Sequence, residues 1–459
     1  MAGSVKVGGA WKTVSGASVK VGGAWKTVSA GYTKVGGAWK QWYSGNQFFI
    51  GVTEVNAFPT ESQRNASSSS YSGKSALAFS SNASSMVYSI NNSGDLLWQR
   101  KFYNSVSGGF GNAAVDPSGN IIYTSAGNIV KFDPNGNITA QRVIANTVAK
   151  SAVGANASGE LAFATRIHGG SWSSGYVSNS RYNSSLVQQV INVYAHNRNA
   201  VVTVSGLDSS GNIYTACQTA PSSYAYYGFQ INKFNSAGTI QWTRMIENSG
   251  TAIGVSEKRG GHVDPSGNVY LGLRTGNPYS TSSADYCGLI KYNTNGTLMY
   301  QKYISGYGAK GQPVATSDNG GNAYCVFASG TGVLGEGLII FKVDSSGNLV
   351  WQRTIKNTAG NYHDVHEIYA DNNGAIIISG RNEALDHSFF FKLPADGSKT
   401  GTYTLGSMTY NYAAGSGTFG SFGYGEVAGY GSANAFAATE SAGDRSTVTT
   451  TTTFTKAVI

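Results

Sequence analysis

The residues able to make and break bonds are few and poorly placed for it. His363-Asp364-Val365-His366 sets two imidazoles three positions apart, and imidazole is the commonest side chain in metal sites. On a strand an odd separation sends the two rings to opposite faces, so a shared metal is not expected. Asp116, Asp208, Asp264, Asp318 and Asp371 recur along the chain. Calcium takes about six to eight oxygen ligands, more than a short turn offers, whereas a short carboxylate at such a place bonds its own turn backbone. Cys217, Cys287 and Cys325 lie far apart, without metal-ligand spacing, and read as buried free thiols. No metal, no cofactor and no catalytic residue is expected.

A chemistry of recognition is better represented. His168, Trp172, Tyr176, Tyr224, Tyr226, Tyr227, Tyr279 and Tyr286 stand among Ser, Gly and Asn. Flat rings with adaptable polar neighbours stack on sugar faces or grip a protein with little loss of rotamer freedom. The bland reading is that tyrosine is simply common, with 28 in the chain. What sets these eight apart is their placement in segments 166–179, 218–228 and 275–286, whose unequal lengths mark connections freed from scaffold duty.

The scaffold itself is a repeat. Between residues 75 and 405 a unit recurs, plainest at 263–304: Val-Asp-Pro-Ser-Gly-Asn, Val-Tyr-Leu-Gly-Leu, Gly-Leu-Ile-Lys-Tyr, Asn-Thr-Asn-Gly-Thr and Leu-Met-Tyr-Gln-Lys-Tyr-Ile. That is four short strands with two tight turns. The first turn recurs at Gly119, Gly159, Gly211, Gly267, Gly320 and Gly374; the second at Gly94, Gly136, Gly238, Gly296, Gly347 and Gly397, with Asn183-Ser184-Ser185 as a degenerate copy. Seven second turns predict a β-propeller of about seven four-stranded blades, six and a partial one being the other count. The first unit, 75–102, shows only three clear strands. Ring closure must then borrow a strand, from 47–55 or from the stretch after Leu405, which also removes open sheet edges.

Two side-chain patterns belong to that scaffold. The strand after the second turn carries Trp98, Trp242 or Trp351 with an arginine two residues on, and period two puts both on one face, the ring packing between blades under the arginine stem. Lys131, Lys233, Lys291, Lys342 and Lys392, with Arg181 in the degenerate copy, precede the second turn. Because neighbouring strands alternate in direction, both tight turns share one rim of the disc and the uneven connections share the other. One face reads as structural, the other as adaptable.

Composition agrees with an all-β chain: 61 Gly, 12% aromatic and only 12% charged residues, with no long helical periodicity. The net charge of +9 is dispersed along the repeats, which argues against nucleic-acid binding and suits either approach to an anionic cell surface or plain solubility. Met-Ala-Gly-Ser at the start lacks the basic and apolar parts of a secretory signal, so synthesis and folding in a cytosol are expected.

Ahead of the propeller, Val5-Lys6-Val7-Gly8-Gly9-Ala10-Trp11-Lys12 recurs at 19–26 and, with one change, at 33–40. A Gly-Gly pair between two short alternating runs marks a two-residue hairpin turn. A lone hairpin is marginal in water, so three in tandem must stack or lie against a partner. Residues 1–44 are therefore expected to be a docking segment, with Lys6, Trp11, Lys20, Trp25, Lys34 and Trp39 as its contact residues. The propeller then occupies 45–405, and a Gly- and aromatic-rich segment, 406–459, ends in a β-branched run that predicts a terminal strand.

The amino-terminal words resemble the tandem repeats of tail and fibre proteins of tailed bacteriophages, over about a tenth of the chain. The long units resemble bead-like propeller repeats of bacterial and phage surface proteins, and more distantly the quinoprotein repeat, without its neighbouring cysteines. The resemblance implies a virion tail or fibre component, made in the host cytoplasm. Its partners would be other tail proteins, through 1–44, and a host-surface glycan or outer-membrane protein, through the propeller. It implies an oligomeric place in the virion, a trimer among the options, although no heptad pattern compels three chains. A purely structural adaptor is the alternative expectation. An envelope-polysaccharide-degrading enzyme is a distant third, since the long loops are poor in Asp and Glu.

Overall fold

The computed structural model describes the strands named below and the tight turns between them. The side chains of 1–47, 52–74 and 425–455 lie outside the described residues, as do the connections 104–111, 168–174, 221–227, 247–252, 256–259, 276–285, 330–336, 358–362 and 383–386, and some shorter links and strand ends. The described part is entirely β. Seven antiparallel sheets stand in a ring, their innermost strands side by side about a central channel.

Blade 1 runs Gln63–Tyr71, Lys74–Ser81, Ser84–Asn91 and Leu96–Tyr103 from the channel outward; blade 4, a fully typical copy, runs Asn199–Leu207, Ile213–Ala220, Gly228–Phe234 and Ile240–Ile246. Blades 2, 3, 5 and 6 begin at Asn112–Val115, Thr147–Ala155, Ile253–Val255 with Gly261–Val263, and Val314–Ser317. Blade 7 takes only three strands from its own unit, His363–Ala370, Ala375–Asn382 and His387–Pro394. Its outer strand is Phe49–Thr53, pairing Phe389 with Val52 and Lys392 with Phe49. The unit short of a strand is thus the last, not the first. The first has an inner strand of Asn-Ala-Ser-Ser-Ser-Ser, which carries no apolar alternation to betray it.

From residue 401 the chain turns back and walks round the rim against the blade order. Gly401–Leu405 and Met408–Ala414 form a hairpin on the outer edge of blade 6, Thr418–Ser421 adds to blade 5, Glu426–Ala428 to blade 4, Ser432–Asn434 to blade 3 and Glu440–Ala442 to blade 2. Phe454–Val458 ends the belt on Phe49–Thr53 in blade 7. Each addition is antiparallel and covers a row of backbone N–H and C=O groups that would otherwise template aggregation. Upstream, Ser4–Val7 pairs with Ala10–Thr13, Ser18–Val21 with Ala24–Thr27, and Ala30–Val35 with Ala38–Ser44. The docking residues Lys6, Trp11, Lys20, Trp25, Lys34 and Trp39 have side chains outside the described residues.

Blades are held together at their outer corners by a repeated clasp. Trp98 Nε1 donates to Pro134 O (2.9 Å), Trp242 to Thr294 O (3.0 Å) and Trp351 to Ala395 O (3.2 Å), each on the second turn of the blade beside it. Two residues on, Arg100, Arg244 and Arg353 donate from Nε to Gly136, Gly296 and Gly397 O, with each guanidinium 5.7 Å from its tryptophan ring. The turn glycine is doubly required: Gly136 has φ +84° and a Cβ there would sit 2.8 Å from the Trp98 ring. Blades 3 and 5 fill these positions with Val190 and Asn192 and with Tyr300 and Lys302, and blade 2 departs in a third way. Ala140 stands where the tryptophan would, Arg142 remains, and the facing turn of blade 3 carries Leu186 at φ 59°, fully buried in the cluster that Ala140 packs against. The bulk has moved from the strand to the turn.

The lysines complete this structural rim. Lys131 Nζ meets Asp116 (2.9 Å) and donates to Ser184 O; Lys233 donates to Thr294 O and Oγ1, and Lys392, from the last blade, to Asn92 O and Oδ1 of the first. The recurring aspartates bond their own turns, as Asp116 Oδ1 does by accepting from Ser118 and Asn120 N. In the equivalent second turn, the Asn137 amide and the turn N–H groups hold the Asp133 carboxyl below its usual range. At one first turn the left-handed residue is Gly321, φ 76°, in place of the expected Gly320.

Candidate functional site

On the rim of the long connections, six of the eight candidate recognition residues, His168, Trp172, Tyr224, Tyr226, Tyr227 and Tyr279, lie outside the described residues. Tyr176 is not in a loop. It belongs to the strand Gly175–Tyr182, paired with Ile167 on one side and Ala195 on the other, and is half-buried. The strands of blade 3 simply run further than turn spacing suggested. Tyr286 is where the reading placed it, at the end of a connection and 42% exposed. Its backbone is pinned to Thr275, which donates N–H to Tyr286 O (2.9 Å) while Thr275 Oγ1 accepts from Tyr286 N (2.8 Å).

Tyr286 heads a row of rings. Its centroid is 4.7 Å from Tyr303, which is 4.9 Å from Phe422, which is 5.2 Å from Tyr424. Gly288 and Gly420 flank Tyr303 across the sheet, and a Cβ on Gly420 would lie 2.4 Å from the Tyr303 ring, so the bare backbone lets that ring lie across it. Phe422 and Tyr424 come from the belt, and Gln301 fixes them by donating to Tyr424 O (2.8 Å). All four rings keep solvent contact. Sequence reasoning missed Tyr303, Phe422 and Tyr424 because the belt that unites them with Tyr286 has no motif.

Of the histidine pair, the side chain of His363 lies outside the described residues, and the strand that carries both is not regular. The inner strand of blade 7 bulges between Val365 and Glu367, leaving His366 as the extra residue, 1% exposed. A bulge resets the alternation on which the face argument depended. No group of three or more His, Cys, Asp or Glu suited to a metal occurs among the described residues. All three cysteines are buried and none is in a disulfide, and burial pushes the Cys325 thiol well up from its ordinary value as it donates to Gly288 O.

The described residues enclose a cavity of about 310 Å³ at the channel mouth on the other rim, where the inner strands end in their first turns. Two residues before the turn Asp or Asn, blades 2, 3 and 4 carry Ala114, Gly154 and Gly206, while blades 5, 6 and 7 carry His262, Thr316 and Tyr369. On the small side the blades close up: a Cβ on Gly154 would lie 2.5 Å from Ser205 O, and one on Gly206 2.7 Å from Val263 Cβ. On the large side His262 Nδ1 and Ser317 Oγ are 3.0 Å apart, and the His262 and Tyr369 rings meet edge to face at 6.3 Å. None of the described lining residues is Asp, Glu, Lys or Arg. A Ser–His contact can activate a nucleophile, but here Ser317 is 3% exposed and no carboxylate orients the imidazole among the lining residues.

No known protein family matches the chain, and no curated protein does. Among solved structures it is similar to the WD40 domain of Neurospora crassa Pan2, at 8% identity over 73% of this chain and 90% of that one with a TM-score of 0.44. It is also similar to the Pyrococcus horikoshii acylaminoacyl peptidase, at 9% identity over 76% of this chain and 56% of that one with a TM-score of 0.42. A gluconolactonase from Xanthomonas campestris matches at 11% identity over 73% of this chain and 86% of that one, TM-score 0.33. At such identities and scores nothing about activity passes from these proteins to this chain.

Proposed function

We propose that this chain is a virion tail or fibre component whose propeller recognises a host surface, with residues 1–44 joining it to other tail proteins. The observation that carries the reading is the division of labour between the two rims. On the tight-turn rim Trp98, Trp242 and Trp351, the arginines beside them and the turn lysines are spent on holding blade to blade, while the aspartates bind their own turns. On the other rim Tyr286, at the end of one uneven connection, heads a partly exposed aromatic row. Exposed rings set among Ser, Gly and Thr suit a glycan or a loop of an outer-membrane protein. The chain is a binding protein on this reading, not an enzyme.

The test uses purified full-length chain labelled with a fluorophore. It should decorate host cells and compete with the phage for adsorption, and Tyr286→Ala with Tyr303→Ala should weaken both effects about tenfold or more. The structural-adaptor reading predicts neither decoration nor competition. Release of soluble sugar fragments from host envelope would instead establish an enzyme and overturn the proposal. Deleting 1–44 should leave a folded propeller that no longer enters virions.

A further inference from the structure

We infer that the propeller sits with its tight-turn rim toward the virion, and that this rim is itself part of the tail interface, seated on the same protein that residues 1–44 join. The inference deepens the proposed function and rests on its reading of 1–44 as the docking segment. Its first support is the path of the chain. Phe49 stands at the tight-turn end of the strand that closes blade 7. It pairs with Lys392, whose Nζ donates to Asn92 O in the second turn of blade 1, and a Cβ on Gly94 of that turn would lie 2.6 Å from the Phe49 ring. Phe48 O accepts from Ile459 N (2.9 Å), which fixes the point of entry. Ser44, the last residue of the strand Ala38–Ser44, is four peptide steps from Phe48, within about 14 Å of it at full extension. An outer strand of 7 residues such as Ile240–Ile246 is about 23 Å long. The docking segment is thus tethered on the tight-turn side and cannot start from the rim of long connections.

The second support is a set of aliphatic side chains on that same rim. Leu97, Val187, Ile240, Met299, Val350 and Val458 are 40–59% exposed, one on each of blades 1, 3, 4, 5, 6 and 7. The first five stand in a second turn or within two residues of its end, and Val458 pairs with Phe49. Single exposed apolar residues are ordinary on a protein surface. Their return at one place in the repeat is not, because the fold does not call for it. The position of Leu97, Met299 and Val350, directly before the clasp residue, holds Thr139 in blade 2, Gln189 in blade 3 and Gln241 in blade 4. A polar residue therefore serves the blade there, and blades 3 and 4 nevertheless carry an aliphatic one or two places nearer the turn. Such side chains gain stabilisation only when something covers them.

The two supports together state what the partner must offer. Residues 1–44 contain six lysines and no Asp, Glu or Arg, so the surface that receives them is acidic. The surface that receives the rim is apolar where Leu97, Met299 and Val350 meet it. The occupant is therefore a folded tail protein with an acidic face and apolar contacts beside it. Because only residues 45–47 separate the two contacts, binding through one presents the other at high effective concentration, and the pair holds more tightly than either alone. A disc held at both points has a fixed orientation: the rim of long connections, with Tyr286, faces away from the tail.

The experiment is competitive assembly in infected cells. Tagged full-length variants are supplied beside the wild-type chain, and the share of each in purified virions is counted by mass spectrometry. Leu97→Glu, Met299→Glu and Val350→Glu combined should leave the chain folded, since all three sites are exposed, and should keep its binding to host cells, yet lower its share of virions about tenfold or more. In a second measurement p-benzoylphenylalanine replaces Val350, and irradiated virions should yield a cross-link from that position to another tail protein. This single change at an exposed site decides the matter if the triple variant does not fold. Entry of the folded triple variant at the wild-type share, or the absence of any cross-link from position 350, would overturn the inference and leave the docking role of 1–44 standing. Entry of a chain lacking 1–44 at the wild-type share would overturn that role, and the inference with it.

Discussion

Lys392 holds a charge where water hardly reaches, its side chain 2% exposed. Burial depresses its ammonium to about pKa 8, with Asp371, 3.9 Å away, pulling partly in the other direction. An unfolded lysine keeps its proton to about 10.5. Between those two values the unfolded chain binds the extra proton, so unfolding free energy rises with pH across that window, by on the order of 3 kcal/mol in all. Below about pH 8 both states are charged and the penalty is fully present; above about 10.5 both are neutral. The buried phenols act in reverse. Burial raises Tyr214, Tyr270, Tyr324, Tyr410 and Tyr412 above 10.0, so above that pH the folded chain is the better proton holder and stability falls. Urea unfolding measured from pH 7 to 11 should therefore pass through a maximum near pH 10. In Lys392→Met the rising limb should flatten while the fall above pH 10 persists; an unchanged rising limb would assign it to other groups.

At the scale of the element, the clasp between blades makes the sharpest claim. Gly136→Ala adds a Cβ 2.8 Å from the Trp98 ring at φ +84°, so it should destabilise by about 1–3 kcal/mol. The blade 2 exception can be reversed. Ala140→Trp alone should clash with Leu186, and Leu186→Gly alone should relieve a strained φ while emptying a buried site. Together they recreate the arrangement of the Trp98, Trp242 and Trp351 corners, with Arg142 already in place. The double variant should be more stable than the sum of the single changes predicts by about 1 kcal/mol or more, within the range for contacting residues. Additivity would show that blade 3 docks by other contacts. This exception also marks how far the fold was legible in the sequence. Turn glycines and the Trp-x-Arg words exposed seven blades because the same packing problem recurs at each corner. A segment after Leu405 that closes a sheet and ends in a strand was legible, but the separate steps of the belt were not, because Glu426–Ala428, Ser432–Asn434 and Glu440–Ala442 are three residues each, too short for any period, and are strands only because a sheet edge awaits them. The channel mouth escaped for a different reason. Its His262, Ser317 and Tyr369 come from three blades and are brought together by ring closure alone.

For the whole molecule, the first strand of the ring in sequence and the last strand of the belt meet in one sheet. Phe49–Thr53 is hydrogen-bonded to His387–Pro394 on one side and to Phe454–Val458 on the other. Lys456 adds a further tie by contacting Ser93 O and Asp95 Oδ1 (2.7 Å) on the first blade. The strand that closes the ring is thus also the one through which residues 1–44 attach, and it is held along both edges. A pull on the amino-terminal segment loads two ladders in shear at once, where all their hydrogen bonds resist together, instead of peeling a free edge bond by bond. Removing 454–459 strips one ladder and leaves Phe49–Thr53 as an edge strand. The truncated chain should still fold, since the inter-blade clusters and clasps of blades 1 to 6 are untouched, but the backbone amides of 49–53 should exchange with solvent about tenfold faster or more, while those of 229–234 in blade 4 keep their rates. Equal acceleration in both segments would mean that the last strand supports the ring globally. No acceleration in either would mean that blade 7 is closed by Phe49–Thr53 alone and that the belt's final strand is dispensable to the clasp.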